Sequence, residues 1–272
     1  MNPIDSLFQR LRAAGKKAFI PFLTAGDPDV HTTEVLVREL TRSGASVVEI
    51  GFPYSDPLAD GPVIQASYTR ALDQGVRLDD ILAMIQRLVT SPEQVAPTVP
   101  LVGMLSYSLI HRRGATPFLD QALKVGLSGA IVPDLPIEEA ESLIKQAKER
   151  DFKLIHLVTP TTPRDRAVKI ANLSTGFLYY VSITGITGER DRLPEELLTQ
   201  LAWLRRQTRT PICVGFGISK PQHVSMLREA ADGIIVGSAF VRHLEAAKTK
   251  PLGEILVEMG SLAKALEVAL NP

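Results

Sequence analysis

Three carboxylic acids lie close together between Val48 and Gly61, and they are the first candidates for chemistry in this chain of 272 residues. Glu49 is near the end of a short apolar run, which predicts a buried strand. Asp56 and Asp60 follow in a loop that contains proline and glycine. We expect Glu49 and Asp60 to form an acid–base pair. Asp60 could instead serve as an ordinary Asp-Gly turn residue, and Asp56 is expected to form a turn or to contact a partner.

Eight apolar runs alternate with helix-like segments, and they predict the elements that must position these acids. The runs are continuous, which is typical of parallel strands buried on both faces. Eight such units in about 250 residues indicate an α/β fold, the (β/α)8 TIM barrel. We predict one domain over residues 1–272, with an extra N-terminal helix and inserted loops after strands 2 and 6. A doubly wound open sheet is the alternative, but it usually has a glycine-rich turn after an early strand. The predicted strands are Ala18–Thr24, Ser46–Ile50, Val99–Leu105, Gly129–Val132, Lys153–Val158, Gly176–Ser182, Pro211–Val214 and Gly233–Val236.

The walls around Glu49 should be apolar. Phe22, Leu105 and Tyr179 fall at or near strand ends, where barrel active sites are built. Such walls would partly desolvate the Glu49 carboxyl and raise its pKa toward neutral pH. Glu49 could instead be a structural carboxylate paired with a cation, but no lysine or arginine lies on the same predicted rim.

Glycine-rich turns follow the last three predicted strands, at 185–188, 215–217 and 237–238. Their backbone N–H groups can approach an anion closely, and Gly237-Ser238 can begin a short helix whose N-terminus favours negative charge. Barrels often bind phosphate with the loops after strands seven and eight. Tight turns alone would explain one such segment. Three of them in these positions favour a phosphate site.

Several other kinds of chemistry lack the residues that they need. No lysine lies at a predicted strand end to form a Schiff base, and the histidine spacing indicates no metal site. The net charge is zero with no basic block, which argues against nucleic acid and anionic membranes. The chain has a lone cysteine, Cys213, and it has no membrane-length apolar run and no signal-peptide pattern. We therefore expect a soluble cytoplasmic protein.

Six segments, in order along the chain, resemble the α subunit of tryptophan synthase, and the resemblance covers essentially the whole length. The most specific segment is VEIG at 48–51 followed by SDPLADGPVIQ at 55–65. The others are PFLTAGDP at 21–28, PDLP at 133–136, GITG at 185–188, GFGI at 215–218 and GS at 237–238.

The resemblance implies a lyase of tryptophan biosynthesis that reversibly cleaves indole-3-glycerol phosphate to indole and glyceraldehyde 3-phosphate. It implies that Glu49 is the general acid–base group and that Asp60 accepts the indole N–H. It implies no metal and no cofactor in this chain. The expected substrate-binding residues are Phe22, Leu105, Tyr179, Thr187, Gly188, Phe216, Gly217, Ile235, Gly237 and Ser238.

The resemblance also implies a partner, a pyridoxal-phosphate β subunit that receives the indole within an α2β2 heterotetramer. Asp56 and Pro57 are expected at that interface. A stand-alone indole-3-glycerol-phosphate lyase, with the same barrel and acids, is the alternative. Another phosphate-binding barrel isomerase would not need the loop from Asp56 to Asp60. A non-catalytic regulatory subunit would be expected to lack Glu49 or Asp60, and both are present.

Overall fold

Apolar runs form the strands of one sheet, as the sequence predicts. The computed structural model describes residues 1–57, 60–90, 99–182, 195–215 and 217–272, without the side chains of Glu195 and Lys248. Nine strands pair in the order β5-β4-β3-β2-β1-β9-β8-β7-β6, and all the recorded pairings are parallel. The strands are β1 Ala18–Thr24, β2 Val48–Gly51, β3 Leu101–Met104, β4 Leu127–Ile131, β5 Lys153–Ile155, β6 Leu157–Val158, β7 Leu178–Val181, β8 Ile212–Gly215 and β9 Gly233–Val236.

The fifth predicted strand is divided in two, and this division is where the barrel closes. His156 alone separates β5 from β6, which occupy the two ends of the strand order. The His156 N–H donates to Ser174 Oγ at 3.0 Å, while its carbonyl accepts from the Tyr179 N–H at 3.0 Å. One stretch of chain therefore pairs with β4 on one side and with β7 on the other. The predicted TIM barrel is confirmed.

Helices follow the strands and pack outside them. The helices are α1 Pro3–Ala13, α2 Val30–Arg42, α3 Pro62–Asp73, α4 Leu78–Thr90, α5 Tyr107–Arg113, α6 Ala115–Val125, α7 Glu141–Glu149, α8 Arg164–Leu173, α9 Glu195–Arg205, α10 Pro221–Leu227, α11 Ser238–Glu245 and α12 Leu252–Leu270. None of the helices in the described part of the chain is both long and apolar enough to cross a membrane.

Two helices differ from the sequence pattern. Apolar spacing predicts a helix from Ile137 to Arg150, but α7 begins at Glu141, after a turn. Helix α5 has no clear apolar period and is not predicted. Its first turn is held by Asp134, from the loop after β4, which accepts hydrogen bonds from Ser106 Oγ at 2.6 Å and from the Tyr107 N–H at 2.8 Å. Ser106 is the N-cap of this helix and accepts from the Ser108 N–H at 3.1 Å, and Asp134 adds a second contact that local sequence cannot indicate.

The strand residues form two apolar layers. On β1, Ala18, Ile20 and Phe22 belong to an inner cluster, and Phe19 and Leu23 to an outer one that includes the surrounding helices. This alternation follows from the two faces of a strand. Side chains that point inward near the carboxyl ends of the strands can therefore reach a central pocket.

The predicted extra helix, α1, covers the opposite end of the barrel. Asn2 accepts from the Ile4 N–H at 2.9 Å, and its amide donates to Ser128 O at 2.9 Å and to Asp151 O at 2.7 Å. Both carbonyls lie near the starts of strands, and Phe8 packs on Phe177 with ring centroids 5.9 Å apart. The amino end of the barrel is therefore filled, and a pocket can open at the carboxyl end.

Helix α3 is held to β1 by a buried ion pair and a hydroxyl pair. Arg70 Nε and Nη2 donate to the two Asp27 oxygens at 2.8 and 2.6 Å, and the Asp27 side chain is fully buried. Thr24 Oγ1 lies 2.6 Å from Ser67 Oγ, which donates to Ile64 O at 2.7 Å. These contacts fix the helix that begins directly after Asp60.

The Asp27–Arg70 pair predicts a stability difference between two carboxylates. Asp27→Asn removes the charge partner of a largely buried arginine, so we expect a loss of about 1–3 kcal/mol in the free energy of unfolding. Glu138→Gln changes a carboxylate that binds Arg166 in the same two-bond manner at an exposed site, and should have no measurable effect. Urea denaturation measures both. Equal effects of the two substitutions would contradict this account.

Candidate active site

A pocket opens at the carboxyl ends of the strands, with about 650 Å³ of empty space that is partly open to solvent. It contains most of the site residues predicted from the sequence. The predicted residues that line it are Phe22, Glu49, Asp60, Tyr179, Gly217, Ile235, Gly237 and Ser238, and the others are Gly61, Ile64, Met104, Ile218, Ser219, Ala239 and Arg242.

Glu49 enters this pocket from β2 and is almost completely buried. It pairs in register with Phe22 of β1 and with Val102 of β3, and 1% of its surface is exposed. Its Oε2 atom has no hydrogen-bond partner in the described structure. Burial raises the pKa of Glu49 to about 8, and the nearby charge of Asp60 adds to the shift. Glu49 is therefore a neutral acid at pH 7.

Asp60 reaches the same pocket from the loop before α3 and is 8% exposed. Gln65 fixes this loop, because its Nε2 donates to Asp60 O at 2.8 Å and to Pro57 O at 3.2 Å. Tyr54 Oη donates a long hydrogen bond to Asp60 Oδ2 at 3.5 Å. Burial raises the pKa of Asp60 to about 6, and the bond from Tyr54 opposes that rise. Asp60 is thus mostly ionised at pH 7, beside a neutral Glu49.

The apolar walls are formed by Phe22, Ile64, Met104, Tyr179 and Ile235. Leu105, which the sequence analysis places in this wall, packs in the outer cluster, whereas Met104 lines the pocket. The reason is the alternation of strand faces, since Val102 and Met104 belong to the inner cluster. That alternation was available in the sequence and indicates Met104.

The far side of the pocket suits an anion. Gly237 precedes α11, and the first backbone N–H groups of a helix have no partner within the helix. Ser219 Oγ is buried without a partner near this end. Arg242 lies four residues after Ser238, on the same face of α11, and brings a positive charge to the pocket. Arg242 is not among the residues predicted from the sequence, although its four-residue spacing from Ser238 is a usable signal.

The remaining predicted site residues lie elsewhere or cannot be placed. Thr187, Gly188 and Phe216 are outside the described residues, as is the predicted loop after strand 6. Asp56 is exposed and accepts from Ser55 Oγ at 2.9 Å, and Pro57 is half-buried at the outside of the loop. The predicted loop after strand 2 is present, apart from residues 58–59. Among the residues described, no group of three or more potential ligands could hold a metal ion.

Fold and pocket together define a class: a (β/α)8-barrel enzyme with a buried pair of carboxylic acids. The chain belongs to the tryptophan synthase alpha chain family, whose family model matches residues 8–269. The family prediction made from the sequence is therefore confirmed.

Relatives and solved structures agree with this assignment over the full length. A tryptophan synthase alpha chain from Rhodopirellula baltica is 51% identical, covering 100% of this chain and 99% of that protein. One from Acaryochloris marina is 46% identical over 98% of both chains. The crystal structure of tryptophan synthase subunit alpha from Legionella pneumophila has a TM-score of 0.89 at 34% identity, covering 100% of this chain and 99% of that one.

The family assignment identifies the chain as a lyase that carries out the indole-3-glycerol phosphate cleavage half-reaction of tryptophan synthesis. In this family the pyridoxal phosphate belongs to the β subunit, so the chain itself needs no cofactor. These expectations from the resemblance are confirmed at the level of the family.

Gly51 lies directly behind the pocket residue Phe22, where no other residue fits without displacing a neighbour. A Cβ atom there would lie 2.5 Å from Phe22 Cζ and 2.8 Å from Tyr68 Oη. Gly51→Ala must therefore displace the Phe22 ring, which lines the pocket. We expect a loss of about 1–3 kcal/mol in the free energy of unfolding, together with a raised KM. Gly253→Ala, in α12 where a Cβ meets nothing within 4 Å, is the control: it should leave KM unchanged and should not lower the free energy of unfolding. Thermal unfolding and steady-state kinetics measure the two effects, and a wild-type KM for Gly51→Ala would refute the close approach.

Proposed function

We propose that Glu49 is the general acid–base group of the cleavage reaction and that Asp60 is its electrostatic partner. The observation that carries the proposal is the state of Glu49: buried, without a hydrogen-bond partner at Oε2, and beside a second carboxylate. A carboxyl that is neutral at pH 7 can give a proton to carbon, which a surface glutamate cannot do efficiently.

The reaction needs one proton to move within the substrate. Glu49 protonates C3 of the indole ring, which gives an indolenine and leaves Glu49 as a carboxylate. That carboxylate then takes the proton from the hydroxyl on the carbon attached to C3. The carbon–carbon bond breaks, its electron pair restores the aromatic ring, and indole and glyceraldehyde 3-phosphate result. Glu49 ends protonated as it began, so no metal, cofactor or co-reactant is consumed.

Asp60 supplies the charge that this route requires. Protonation at C3 places positive charge on the indole nitrogen, and an ionised carboxylate that accepts the N–H stabilises it. The pKa of about 6 keeps Asp60 mostly ionised at pH 7, while that of Glu49, about 8, keeps Glu49 protonated. Two acids with separated pKa values thus take opposite roles.

The phosphate is proposed to lie at the other end of the pocket. Gly217, Gly237 and Ser238 offer backbone N–H groups there, and the N-terminus of α11 favours an anion. Arg242 offsets part of the phosphate charge. Between the two ends, Phe22, Ile64, Tyr179 and Ile235 give an apolar region for the indole ring.

Indole passes to a β subunit, with which alpha chains of this family pair, and an α2β2 assembly is part of our proposal. Asp56 and Pro57 are proposed as contacts with that subunit. The exposed Asp56 carboxylate and the outward position of this loop, beside Asp60, support the assignment. We also propose that the chain works in the cytoplasm, for which its single, fully buried cysteine is the support.

Removing either acid should affect catalysis more than folding. We expect Glu49→Gln to lower kcat by at least about 10³-fold, because an amide cannot donate the proton. Asp60→Asn should lower kcat by about 10²- to 10³-fold, since the stabilising charge is lost. Indole release from indole-3-glycerol phosphate, with and without a β subunit, is the assay, and Glu138→Gln is the surface control.

Three outcomes of this assay separate the possible functions. No indole from the wild-type chain under either condition would refute the proposed function. High activity without any β subunit would favour the stand-alone lyase. Near-normal turnover by Glu49→Gln would show that another group donates the proton.

The pH dependence follows from the same two groups. Asp60 must be ionised, so kcat/KM should rise with pH through about 6, and Glu49 must be protonated, so it should fall through about 8. Asp60→Asn should abolish the acidic limb and move the alkaline limb to lower pH, because the Asp60 charge no longer raises the Glu49 pKa. A profile that keeps rising above pH 9 would contradict the assignment of Glu49 as the acid.

A further inference from the structure

The hydroxyl of Tyr68 is buried and makes no hydrogen bond that would stabilise the described part of the fold. Tyr68 lies on α3 with none of its surface exposed, and its Oη atom has no hydrogen-bond partner in the described structure. Burying an unpaired hydroxyl costs free energy, and phenylalanine would fill almost the same volume without that cost. An unsatisfied group of this kind calls for a reason outside stability.

The position of the hydroxyl is given by Gly51. A Cβ atom on Gly51 would lie 2.8 Å from Tyr68 Oη, so the hydroxyl occupies the space where residue 51 would have a side chain. Gly51 and Glu49 are two residues apart on β2 and face the same side of the strand. The hydroxyl therefore lies on the pocket face of β2, beside Glu49 on its carboxyl-terminal side.

Glu49 carries the complementary unpaired atom. Its Oε2 is also buried and without a partner. The Tyr68 hydroxyl, which comes from α3, and the Glu49 Oε2 atom thus lie on the same face of β2, and both are unpaired. While Glu49 is protonated and neutral, the lack of a strong donor is tolerable. Once Glu49 has given up its proton, a negative charge appears in a dry site, and a donor fixed there in advance stabilises it.

Two other groups near Glu49 do not provide that donor. Asp60, from the loop before α3, is an anion at pH 7, and the Cys213 thiol of β8 is a weak donor. The Tyr179 hydroxyl of β7 lies against Gly215 of β8 and is also near Glu49, so Tyr68 would act beside Tyr179 rather than in its place. Burial raises the pKa of Tyr68 well above its ordinary value, and Asp60, Tyr54 and Glu49 add to this, so its hydroxyl keeps its proton.

We propose that Tyr68 is a positioning residue for the cleavage reaction: its hydroxyl donates a hydrogen bond, directly or through one water, to the carboxylate that Glu49 becomes on protonating the substrate. Tyr68 keeps its own proton, and the proton that Glu49 gives to C3 is replaced from the substrate hydroxyl. This inference rests on the proposed function of Glu49. It adds a group that acts only after the proton has left.

Tyr68→Phe tests the proposal by removing one oxygen atom. A hydrogen bond to a charged group predicts a fall in kcat of about 10- to 100-fold, with KM changed less than about 2-fold. The alkaline limb of the pH profile should move to higher pH, because the Glu49 carboxylate loses its donor. The melting temperature should stay the same or rise, because an unpaired buried hydroxyl has gone.

Tyr180→Phe is the matched control. Tyr180 is also a buried tyrosine, and it follows Tyr179 on β7. It belongs to the outer cluster, however, and its hydroxyl donates to Gln200 Oε1. Its loss should lower the melting temperature and leave kcat and the pH profile unchanged. Opposite patterns in the two variants separate a catalytic effect from a packing effect.

The possible results are decisive. A wild-type kcat and pH profile for Tyr68→Phe, with an active wild-type enzyme, would overturn this inference and leave the role of Glu49 intact. A Tyr68→Phe variant that fails to fold, or that loses stability in proportion to activity, would show that the hydroxyl is structural and would also overturn it. An inactive wild-type enzyme would refute the proposed function itself.

Discussion

The burial of Glu49, with no compensating cation beside it among the described residues, is the constraint on which the site depends. A carboxyl on an inner strand face, 1% exposed and beside Asp60, avoids the cost of a buried charge by keeping its proton. The same surroundings that destabilise the carboxylate support the proposed role of Glu49 as a proton donor at neutral pH. The barrel supplies these surroundings, because its inner faces converge on one apolar pocket.

Helix α3 controls the second acid and much of the wall around both. Asp60 directly precedes the helix, Ile64 lines the pocket one turn later, and Tyr68 follows after another turn. The ion pair of Asp27 with Arg70 holds the far end of this helix. A pair of charges outside the residues that line the pocket therefore helps to hold the helix that follows Asp60.

The features that the sequence predicted correctly are those that show in short stretches of residues. Continuous apolar runs indicated the barrel, and an acid inside one of them indicated Glu49. The missed features depend partly on contacts between distant residues: the first turn of α5 is held by Asp134, 27 residues beyond Tyr107, in addition to its N-cap Ser106. The division of the fifth strand at His156 likewise depends on Ser174, 18 residues away. Leu105 is a different case, because adjacent strand residues face opposite sides, so the alternation in the sequence already indicates Met104 for the pocket wall.

The two ends of the pocket come from opposite ends of the chain. The proposed acid–base groups lie on β2 and before α3, whereas the turns proposed to bind the anion follow β8 and β9. The halves join where β1 pairs with β9, with Pro21 opposite Val236. A fragment of the chain that ends before β8 would therefore contain Glu49 and Asp60 without the proposed phosphate site.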